Sequence, residues 1–462
     1  MRGGHLALAL WLAGCASSTP QEVGIEASER LPGGSTTNDL LLGANAYSRH
    51  VPNILPEHES SFFSGNSFFN LAWVQAPAST AGRDGLGPVF NARSCAGCHF
   101  KDGRGRPPLE ADEDFVGLLL RIGNGELDDR GAPMPDEIYG GQLQPFAIEG
   151  VTPEATPRVT YEEIEGTYAD GTPYTLLAPT YTIENWGYGT APKDLRVSPR
   201  VAPVVAGSGL LESIPEADLH ALADPDDQNG DGISGRPNLV WDVEGERVAL
   251  GRFGWKAEQP TSRQQSAAAF NGDLGVTSSM FPQDDCTPPQ EDCRGAIAGG
   301  TPELDDPLLD DVEAYLMLLA IPVRTRWEDQ EILEGKRLFF EVGCESCHTA
   351  KHQTGENESF PELSNQTIWP YTDLLLHDMG DGLSDGRPSF ESTGNEWRTP
   401  PLWALRFIQS VNKHDRLLHD GRARGVAEAI LWHGGEAESA RTAFKNLNQQ
   451  ERKLLVDFVN SL

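Results

Sequence analysis

The clearest helical pattern lies in the last third of the chain. In WEDQEILEGKRLFFEVG, apolar residues recur on neighbouring turns from Ile332 to Phe339, and the run ends at Gly343. Near the end of the chain, LNQQERKLLVDFVNSL places apolar residues at helical spacing behind Asn448, which is a suitable N-cap. The pattern predicts two helices that cross within a small C-terminal domain over residues 326–462.

The preceding region is less regular. Residues 61–325 are rich in Gly and Pro, and pieces such as TYEEI and YTLLAPTYTI favour β structure. We expect a first domain over this range, in which long loops and short strands surround a helical core. Residues 15–60 are interpreted as a tether and an arm leading into that domain. The whole chain is therefore predicted to be mainly α, with long loops and minor β structure.

The chain begins MRGGHLALALWLAGC. A basic residue, a short apolar run and two small residues before Cys15 are typical of a secretory signal over residues 1–14, which is too short to remain as a spanning helix. The LAGC ending is similar to a bacterial lipoprotein signal, which implies lipids on Cys15. We expect an exported protein on the periplasmic or cell-surface side of the envelope, attached to a membrane. A cysteine placed there by chance would leave it exported without the anchor.

The net charge of the chain limits the kinds of partner that it is expected to bind. The 462 residues include 69 acidic and 36 basic side chains, which give a formal net charge of -33. Such a chain is not expected to bind nucleic acid. The charge serves solubility, and it gives weak support for guidance of a basic electron-transfer partner.

Six of the seven cysteines form three pairs, and Cys15 is the seventh. Cys286 and Cys293, in DDCTPPQEDC, suggest a short surface disulfide in an oxidising compartment. A redox-active dithiol is the alternative, although the pair lacks the two-residue spacing that usually lowers a thiol pKa.

The other two pairs lie in the motifs CAGCH and CESCH. Their residues are Cys95, Cys98, His99, Cys344, Cys347 and His348. Two thiols at this spacing can add to the vinyl groups of one haem while the next histidine reaches the iron, whereas a thioredoxin-like site needs no such histidine. A shared zinc site is disfavoured because zinc ribbons keep their pairs within about 15–20 residues. We predict two covalent c-type haems, and hence two cytochrome c-like haem domains, the N-terminal one enlarged by insertions.

Several long stretches carry a family resemblance. GRDGLGPVFNARSCAGCHFKDGRGRPP, GRFGWKAEQPTSRQQSAAAFNGDLGVTSS, YTDLLLHDMGDGLSDGR, EWRTPPLWAL and LLHDGRARGVAEAILWHGGEA resemble the bacterial diheme c-type oxidoreductases, often labelled peroxidases or thiol oxidoreductases. The chain is more distantly similar to diheme cytochrome c peroxidases and rubber oxygenases. The resemblance implies a reactive haem in the N-terminal domain and an electron-relay haem in the C-terminal one.

The resemblance also implies axial ligands. In the peroxidases the second ligand of the C-terminal haem follows a histidine like His419 by about one short helix, and that position here is His433. Met379 and His377 are rival candidates. No confident second ligand is visible for the His99 haem, and His50 and His58 in the arm are more often solvent-exposed than iron-bound.

Three further residues are site candidates. Trp255 matches a tryptophan that lies between the haems of rubber oxygenases, and Phe270 matches an aromatic residue on the distal side of their reactive haem, although both would otherwise be interpreted as core. Arg398 has the geometry to pair with a haem propionate. Glu258 and Gln264 are weak candidates for a catalytic acid or base.

One loop has the pattern of a calcium site. Asp227, Asn229 and Asp231 supply side-chain oxygens at positions one, three and five, and Gly232 follows at position six. Position twelve is Asn238 instead of the usual glutamate. The alternatives are a calcium site and a plain Asx/Gly turn.

The sequence thus predicts an exported diheme oxidoreductase that passes electrons between two haems. Peroxide reduction at the N-terminal haem is the first expectation, with a small electron-donor protein or a quinol-linked donor as partner and peroxide or dioxygen as oxidant. The alternatives are an oxygenase or a thiol oxidase of the same fold, and a non-catalytic electron carrier.

Overall fold

The computed structural model describes residues 24–40, 42–80 and 82–462. The predicted signal over residues 1–14 and the predicted anchor at Cys15 lie outside the described residues.

Twelve α-helices run through the described part of the chain. They are α1 (Pro56–Asn70), α2 (Cys95–Cys98), α3 (Ser208–Glu212), α4 (Glu216–Leu222), α5 (Ser262–Leu274), α6 (Glu291–Arg294), α7 (Asp306–Met317), α8 (Gln330–Glu341), α9 (Ile408–Asn412), α10 (Val426–Trp432), α11 (Glu438–Asn446) and α12 (Gln449–Val459). Short 3₁₀ turns occupy Ala27–Arg30, Gly34–Thr36, Phe100–Asp102, Cys344–Ser346, Pro361–Leu363, Leu405–Phe407 and Gly435–Ala437.

The strands form small antiparallel sheets. They are β1 (Val89–Phe90), β2 (Leu118–Gly123), β3 (Gln142–Leu143), β4 (Phe146–Ala147), β5 (Thr156–Thr167), β6 (Pro173–Glu184), β7 (Arg196–Val201), β8 (Leu239–Asp242), β9 (Arg247–Leu250), β10 (His352–Gln353), β11 (Thr367–Ile368), β12 (Leu376–Asp378), β13 (Glu396–Arg398), β14 (Arg416–Leu417) and β15 (Ala423–Arg424). One sheet has three strands in the order β3-β2-β7, and the others are two-stranded pairs.

The prediction of a mainly α fold is wrong. The protein is 29% helical and 18% strand, and the two cytochrome c-like haem domains are not evident as such in the described residues. The difference comes largely from the N-terminal half, where β5 and β6 pair along twelve residues each and β2 pairs with β7 along six. The segments expected to be loops with minor strands are therefore long, regular ladders.

The two predicted C-terminal helices are confirmed as α8 and α12, which pack against each other. Asn448 caps α12, because its side chain accepts hydrogen bonds from the backbone of Gln450 and Glu451. The helices cross at Gly335, where an added Cβ would lie 2.1 Å from the Leu454 carbonyl oxygen. A glycine is required there because the two backbones are nearly in contact.

A second helix pair, in the N-terminal half, also crosses at a glycine. Helix α1 packs on α7, and an added Cβ at Gly65 would lie 1.9 Å from the Asp311 carbonyl oxygen. The arm predicted over residues 15–60 therefore ends inside a structural helix, since α1 begins at Pro56. Both halves are organised around a helix pair held close by a glycine.

The β5–β6 hairpin reaches from the N-terminal half to the C-terminal helices. The Leu177 amide donates to Glu428 at 2.5 Å on α10, and the Ala169 amide donates to the Lys445 carbonyl at 3.1 Å. Arg452 on α12 donates to Asp170 at 2.7 Å. The hairpin thus ties the two halves together through polar contacts along its outer end.

The buried residues form separate clusters. The first, around α1 and α7, includes Phe270, and the second, around α8 and α12, includes Trp397. Trp255 precedes α5 in the chain but packs into the second cluster. No helix in the described residues is long and apolar enough to cross a membrane.

Candidate functional site

The first motif sits on a single helical turn. Helix α2 carries Cys95 and Cys98, and His99 follows it directly. The Nδ1–H of His99 donates to the Pro203 carbonyl at 2.7 Å, so Nε2 is the nitrogen left for a metal. Burial lowers the pKa of His99 to about 4. The imidazole is therefore neutral near pH 7, as an iron ligand must be.

A cavity of about 620 Å³ opens beside this motif, and Cys95, Cys98 and His99 all line it. Its volume lies in the range of small-molecule and cofactor sites. Within the described residues, its wall contains no second histidine and no methionine. His50 and His58 lie elsewhere: His50 contacts the Val51 carbonyl at 2.7 Å, and His58 contacts Glu362 at 2.8 Å. Nothing in this wall resembles a second axial ligand.

Buried arginines in the same wall suit a haem. Arg200 donates from Nε to Ser198 at 2.7 Å and from Nη1 to Glu258 at 3.1 Å, while its buried Nη2 has no hydrogen-bond partner. Arg398 also lines the cavity and donates to the Gly254 carbonyl at 2.9 Å. Arg200 Nη2 also lies 3.7 Å from the Asp385 carboxylate, beyond hydrogen-bond distance. Guanidinium groups with spare donors match propionate carboxylates. The two thiols, the neutral His99 and these cations together fit a haem.

Trp255 and Phe270 both line this cavity. Trp255 donates from its indole nitrogen to the Val201 carbonyl at 2.7 Å and is 7% exposed. Because it also belongs to the second buried cluster, it contacts the C-terminal core on one side and the cavity on the other. Phe270 is buried edge-on against Trp73. The roles predicted for both remain predictions, now with a location that suits them.

Glu258 and Gln264 line the cavity but are engaged in structural contacts. Burial alone would raise the pKa of Glu258, but Arg200 and other arginines outweigh it and hold the pKa at about 2. Gln264 accepts from the Val243 amide and donates to the Trp241 carbonyl and to Gln259. Neither side chain is free to move a proton at neutral pH.

The second motif repeats the ring geometry of the first. His348 donates from Nδ1 to the Tyr371 carbonyl at 3.0 Å, which again leaves Nε2 for a metal. Burial lowers its pKa to about 4, and a positive charge on the nearby His433 would lower it further. His433 donates from Nδ1 to the Ala429 carbonyl at 2.7 Å, and burial lowers its pKa as well. Two neutral rings, each with its Nε2 available, therefore lie within electrostatic reach of each other.

The two other candidate ligands, His377 and Met379, lie in different surroundings. His377 uses both ring nitrogens, with Nε2 at 2.9 Å from Asp373 and Nδ1 at 2.8 Å from Glu436. Although burial opposes it, the two carboxylates raise the pKa of His377 well above its ordinary value, so the ring is held as an imidazolium. Met379 is half-buried against the second cluster. The two carboxylates disfavour His377 as a ligand, and the choice of His433 over Met379 stays a prediction.

The four motif cysteines are free, and the remaining pair is not. Neither CxxC pair forms a disulfide, and burial raises the pKa of Cys95 and that of Cys344 to about 12. Cys286 and Cys293 are joined by a disulfide, with their Cα atoms 5.7 Å apart, which confirms that prediction.

The side chains of the loop with the calcium pattern accept hydrogen bonds from the backbone of the same loop. Asp227, Asn229 and Asp231 each accept a hydrogen bond from a backbone amide of the same loop. In the described residues, no group of three or more His, Cys, Asp or Glu side chains is placed to hold a metal ion. Calcium at this loop therefore remains a prediction.

Several residues of the cavity were not found from the sequence. Arg121 on β2, Arg200 on β7 and Asp273 on α5 come from segments far apart in the chain. A signal existed for Arg121, which interrupts the apolar strand LLLRIG, whereas Arg200 lies in RVSPRV, where polar residues are common. Asp273 carried no such signal because a carboxylate near a helix end is usually solvated.

Comparisons with known proteins agree with this geometry. A family model described as "Di-haem oxidoreductase, putative peroxidase" matches residues 26–462, nearly the full length of the chain. No curated protein and no solved structure matches.

Proposed function

Since the chain belongs to the di-haem oxidoreductase family, we propose that it reduces peroxide at the His99 site with electrons that arrive through the His348 site. Each CxxCH motif would hold one haem covalently through its two cysteines, with the following histidine as iron ligand. A haem bound at each motif would supply the redox-active iron. The haem cofactors follow from the family, and the covalent attachment is part of the proposal.

The observation that carries this proposal is the difference between the two sites. Beside His99 lies a cavity whose described wall offers no second histidine or methionine, whereas His348 has His433 within electrostatic reach. An open site can admit a small oxidant, and a site with two ring ligands can only pass electrons. One open site beside one closed site supports an enzyme, whereas a non-catalytic electron carrier would have two closed sites.

The surrounding side chains have defined tasks in this account. Pro203 and Tyr371 fix the His99 and His348 rings through their carbonyl oxygens. Arg200 and Arg398 would neutralise propionates, and both are buried, which strengthens such pairing. Trp255 offers an aromatic bridge between the cavity and the C-terminal core.

The location, partners and calcium belong to the same proposal. The signal pattern over residues 1–14 and Cys15 supports export and lipid attachment to a membrane. A small electron-donor protein or a quinol-linked donor would reduce the His348 site, and the net charge of -33 suits a basic donor. Calcium at Asp227, Asn229 and Asp231 rests on the loop pattern alone.

The test is a single-turnover reaction of the fully reduced protein. Two reduced haems carry the two electrons that one H₂O₂ consumes, so one equivalent should oxidise both without added donor. A variant with His99→Gly, checked for haem content, is the control and should react far more slowly. Oxidation by dioxygen in preference to H₂O₂ would support the oxygenase alternative, and no oxidation by either would overturn the proposal.

A further inference from the structure

A carboxylate on α5 faces the same cavity as His99. Asp273 lies one turn after Phe270, near the end of the helix, and both residues line the cavity. The backbone amides of Asn91 and Ala92, a few residues before Cys95, donate to the Asp273 carbonyl at 2.8 and 3.1 Å. Asp273 therefore lies near the place where the thiols would attach a haem.

Buried amides fix the orientation of this carboxylate. Gln142 donates from Nε2 to Oδ1 of Asp273 at 2.8 Å, and the same nitrogen contacts Asn91 at 2.7 Å and the Gly272 carbonyl at 3.0 Å. Within the described residues, Gln142 is the side chain that hydrogen-bonds the Asp273 carboxylate, through Oδ1. Oδ2 is left available to a molecule in the cavity.

An arginine lies beside the carboxylate. Arg121 lines the cavity, and an added Cβ at Gly272 would lie 3.8 Å from its Nη1. Arg121 also pairs across β2 and β3 with Gln142, the residue that holds Asp273, so the guanidinium and the carboxylate occupy neighbouring positions in the cavity wall. Burial raises the pKa of Asp273, and the charge of Arg121 opposes that rise. The carboxyl group is therefore able to hold or release a proton, while the arginine keeps a fixed positive charge next to it.

The other acidic side chains in the cavity wall are less suited to exchange a proton with a molecule in the cavity. Glu258 is paired with Arg200 at 3.1 Å. Asp285 also lines the cavity, and Arg121 acts on its pKa too, but it belongs to the loop that leads into the Cys286 disulfide. Asp273 differs from both because it is held by Gln142 without a salt bridge and lies near both motif thiols.

We propose that Asp273 is the catalytic group that moves the proton of a small oxidant such as H₂O₂, with Arg121 stabilising the negative charge that forms. The inference rests on the proposed function. Asp273 accepts the proton from one peroxide oxygen and returns it to the other as the O–O bond breaks, which releases one water. Two electrons from the donor protein and two protons from solvent reduce the remaining oxygen to a second water.

Cyanide is a suitable probe because HCN must lose a proton to bind iron. The variants are Asp273→Asn, which keeps the shape, and Asp273→Glu, which keeps the carboxyl group. Asp285→Asn is the comparison within the same wall. Each oxidised holoprotein is first checked for two haems, and the rate of cyanide association is then measured by absorbance.

The expected result is a fall of about 10²-fold or more in the Asp273→Asn association rate, which is the scale of general acid–base catalysis. Asp273→Glu should recover most of the loss, and Asp285→Asn should stay within a few-fold of the unmodified protein. The single-turnover rate with H₂O₂ should follow the same order. A loss in Asp285→Asn equal to that in Asp273→Asn would overturn the assignment to Asp273.

The outcomes separate this inference from the proposed function. If Asp273→Asn binds cyanide and consumes H₂O₂ like the unmodified protein, the inference is wrong and the proposed function stands. If the unmodified protein binds cyanide but does not consume H₂O₂, the proposed function fails, and the cyanide rates alone decide the role of Asp273. If it does neither, both fail.

Discussion

The two CxxCH motifs present the same ligand in different surroundings. His99 and His348 each donate from Nδ1 to a backbone carbonyl, and burial lowers the pKa of each to about 4. What differs is the space beyond the ring, which is a cavity of about 620 Å³ at His99 and a second imidazole, His433, near His348. The motif defines how a haem is held, and residues distant in sequence decide what else can reach it.

The helical scaffold does not account for that difference. The N-terminal half crosses two helices at Gly65, and the C-terminal half crosses two at Gly335. The N-terminal half adds strands β2 and β7 and helix α5, which line the cavity together with side chains from residues 387–408. The cavity at His99 is therefore built by segments outside the two helix crossings, which are similar in the two halves.

The largest effect is expected from removing one pair of motif cysteines. Cys95→Ala with Cys98→Ala should leave one covalent haem per chain and abolish cyanide binding, because the open site is lost. Cys344→Ala with Cys347→Ala should also leave one haem but keep cyanide binding. Mass spectrometry and cyanide titration measure both quantities. Equal cyanide binding in the two variants would remove the distinction between the sites.

The next effect is expected from opening the closed site. His433→Ala should remove the second ring ligand, so a second equivalent of cyanide should bind and a new high-spin ferric signal should appear. Met379→Leu is the control and should change neither, and His377→Gln should not open the site because His377 is held by two carboxylates. A new high-spin signal in Met379→Leu would instead identify methionine as the ligand.

A smaller effect is expected at the two helix crossings. An added Cβ would meet a backbone oxygen at 2.1 Å in Gly335→Ala and at 1.9 Å in Gly65→Ala. Each should lower the free energy of unfolding by about 2–3 kcal/mol, because a backbone cannot give way as a side chain can. Gly141→Ala, whose Cβ would meet no atom within 4 Å, is the matched control. Urea denaturation measures the free energy of unfolding of all three variants. If Gly335→Ala were as stable as Gly141→Ala, the close approach of the two helix backbones at Gly335 would be contradicted.

The smallest effect is expected at the tip of the β5–β6 hairpin. Arg452 donates to Asp170 at 2.7 Å and lies 3.8 Å from the centre of the Tyr168 ring. Arg452→Leu should destabilise the protein less than either glycine substitution and speed amide exchange in the hairpin tip, because a partly buried charged hydrogen bond and a cation–π contact are lost. Arg452→Lys keeps the positive charge but lacks the planar guanidinium. Its stability and its exchange rate should therefore lie between those of Arg452→Leu and those of the unmodified protein. Unchanged exchange in Arg452→Leu would show that other contacts hold the hairpin.

The helices around the second motif could be predicted, because their apolar residues recur at helical spacing and Asn448 supplies a cap. The disulfide could be predicted from compartment and spacing. The sequence favoured β structure at TYEEI and YTLLAPTYTI, but it did not predict their twelve-residue hairpin, since strand β5 carries exposed Glu162, Glu163 and Glu165 and thus looks solvated. Its strands are stabilised by pairing with each other and by contacts to helices far along the chain, which no local pattern records.

The cavity could be predicted only in part. The motif identified the ligand His99, and the family resemblance pointed to Trp255 and Phe270, all of which line it. Arg121 and Asp273 were missed because the fold relates them through a third residue: Arg121 pairs with Gln142 across β2 and β3, and Gln142 hydrogen-bonds Asp273. A charged residue acquires a role at such a site from the neighbours that the fold brings to it, and these are not adjacent in sequence.

The most direct test of the central claim is the electron paramagnetic resonance spectrum of the oxidised holoprotein, made with c-type haem maturation and checked for two haems per chain. We expect one high-spin ferric signal from the His99 site and one low-spin signal from the His348/His433 site, with cyanide converting only the first. Two low-spin signals that persist after half-reduction and do not respond to cyanide would contradict it, and would assign the protein to electron transfer alone.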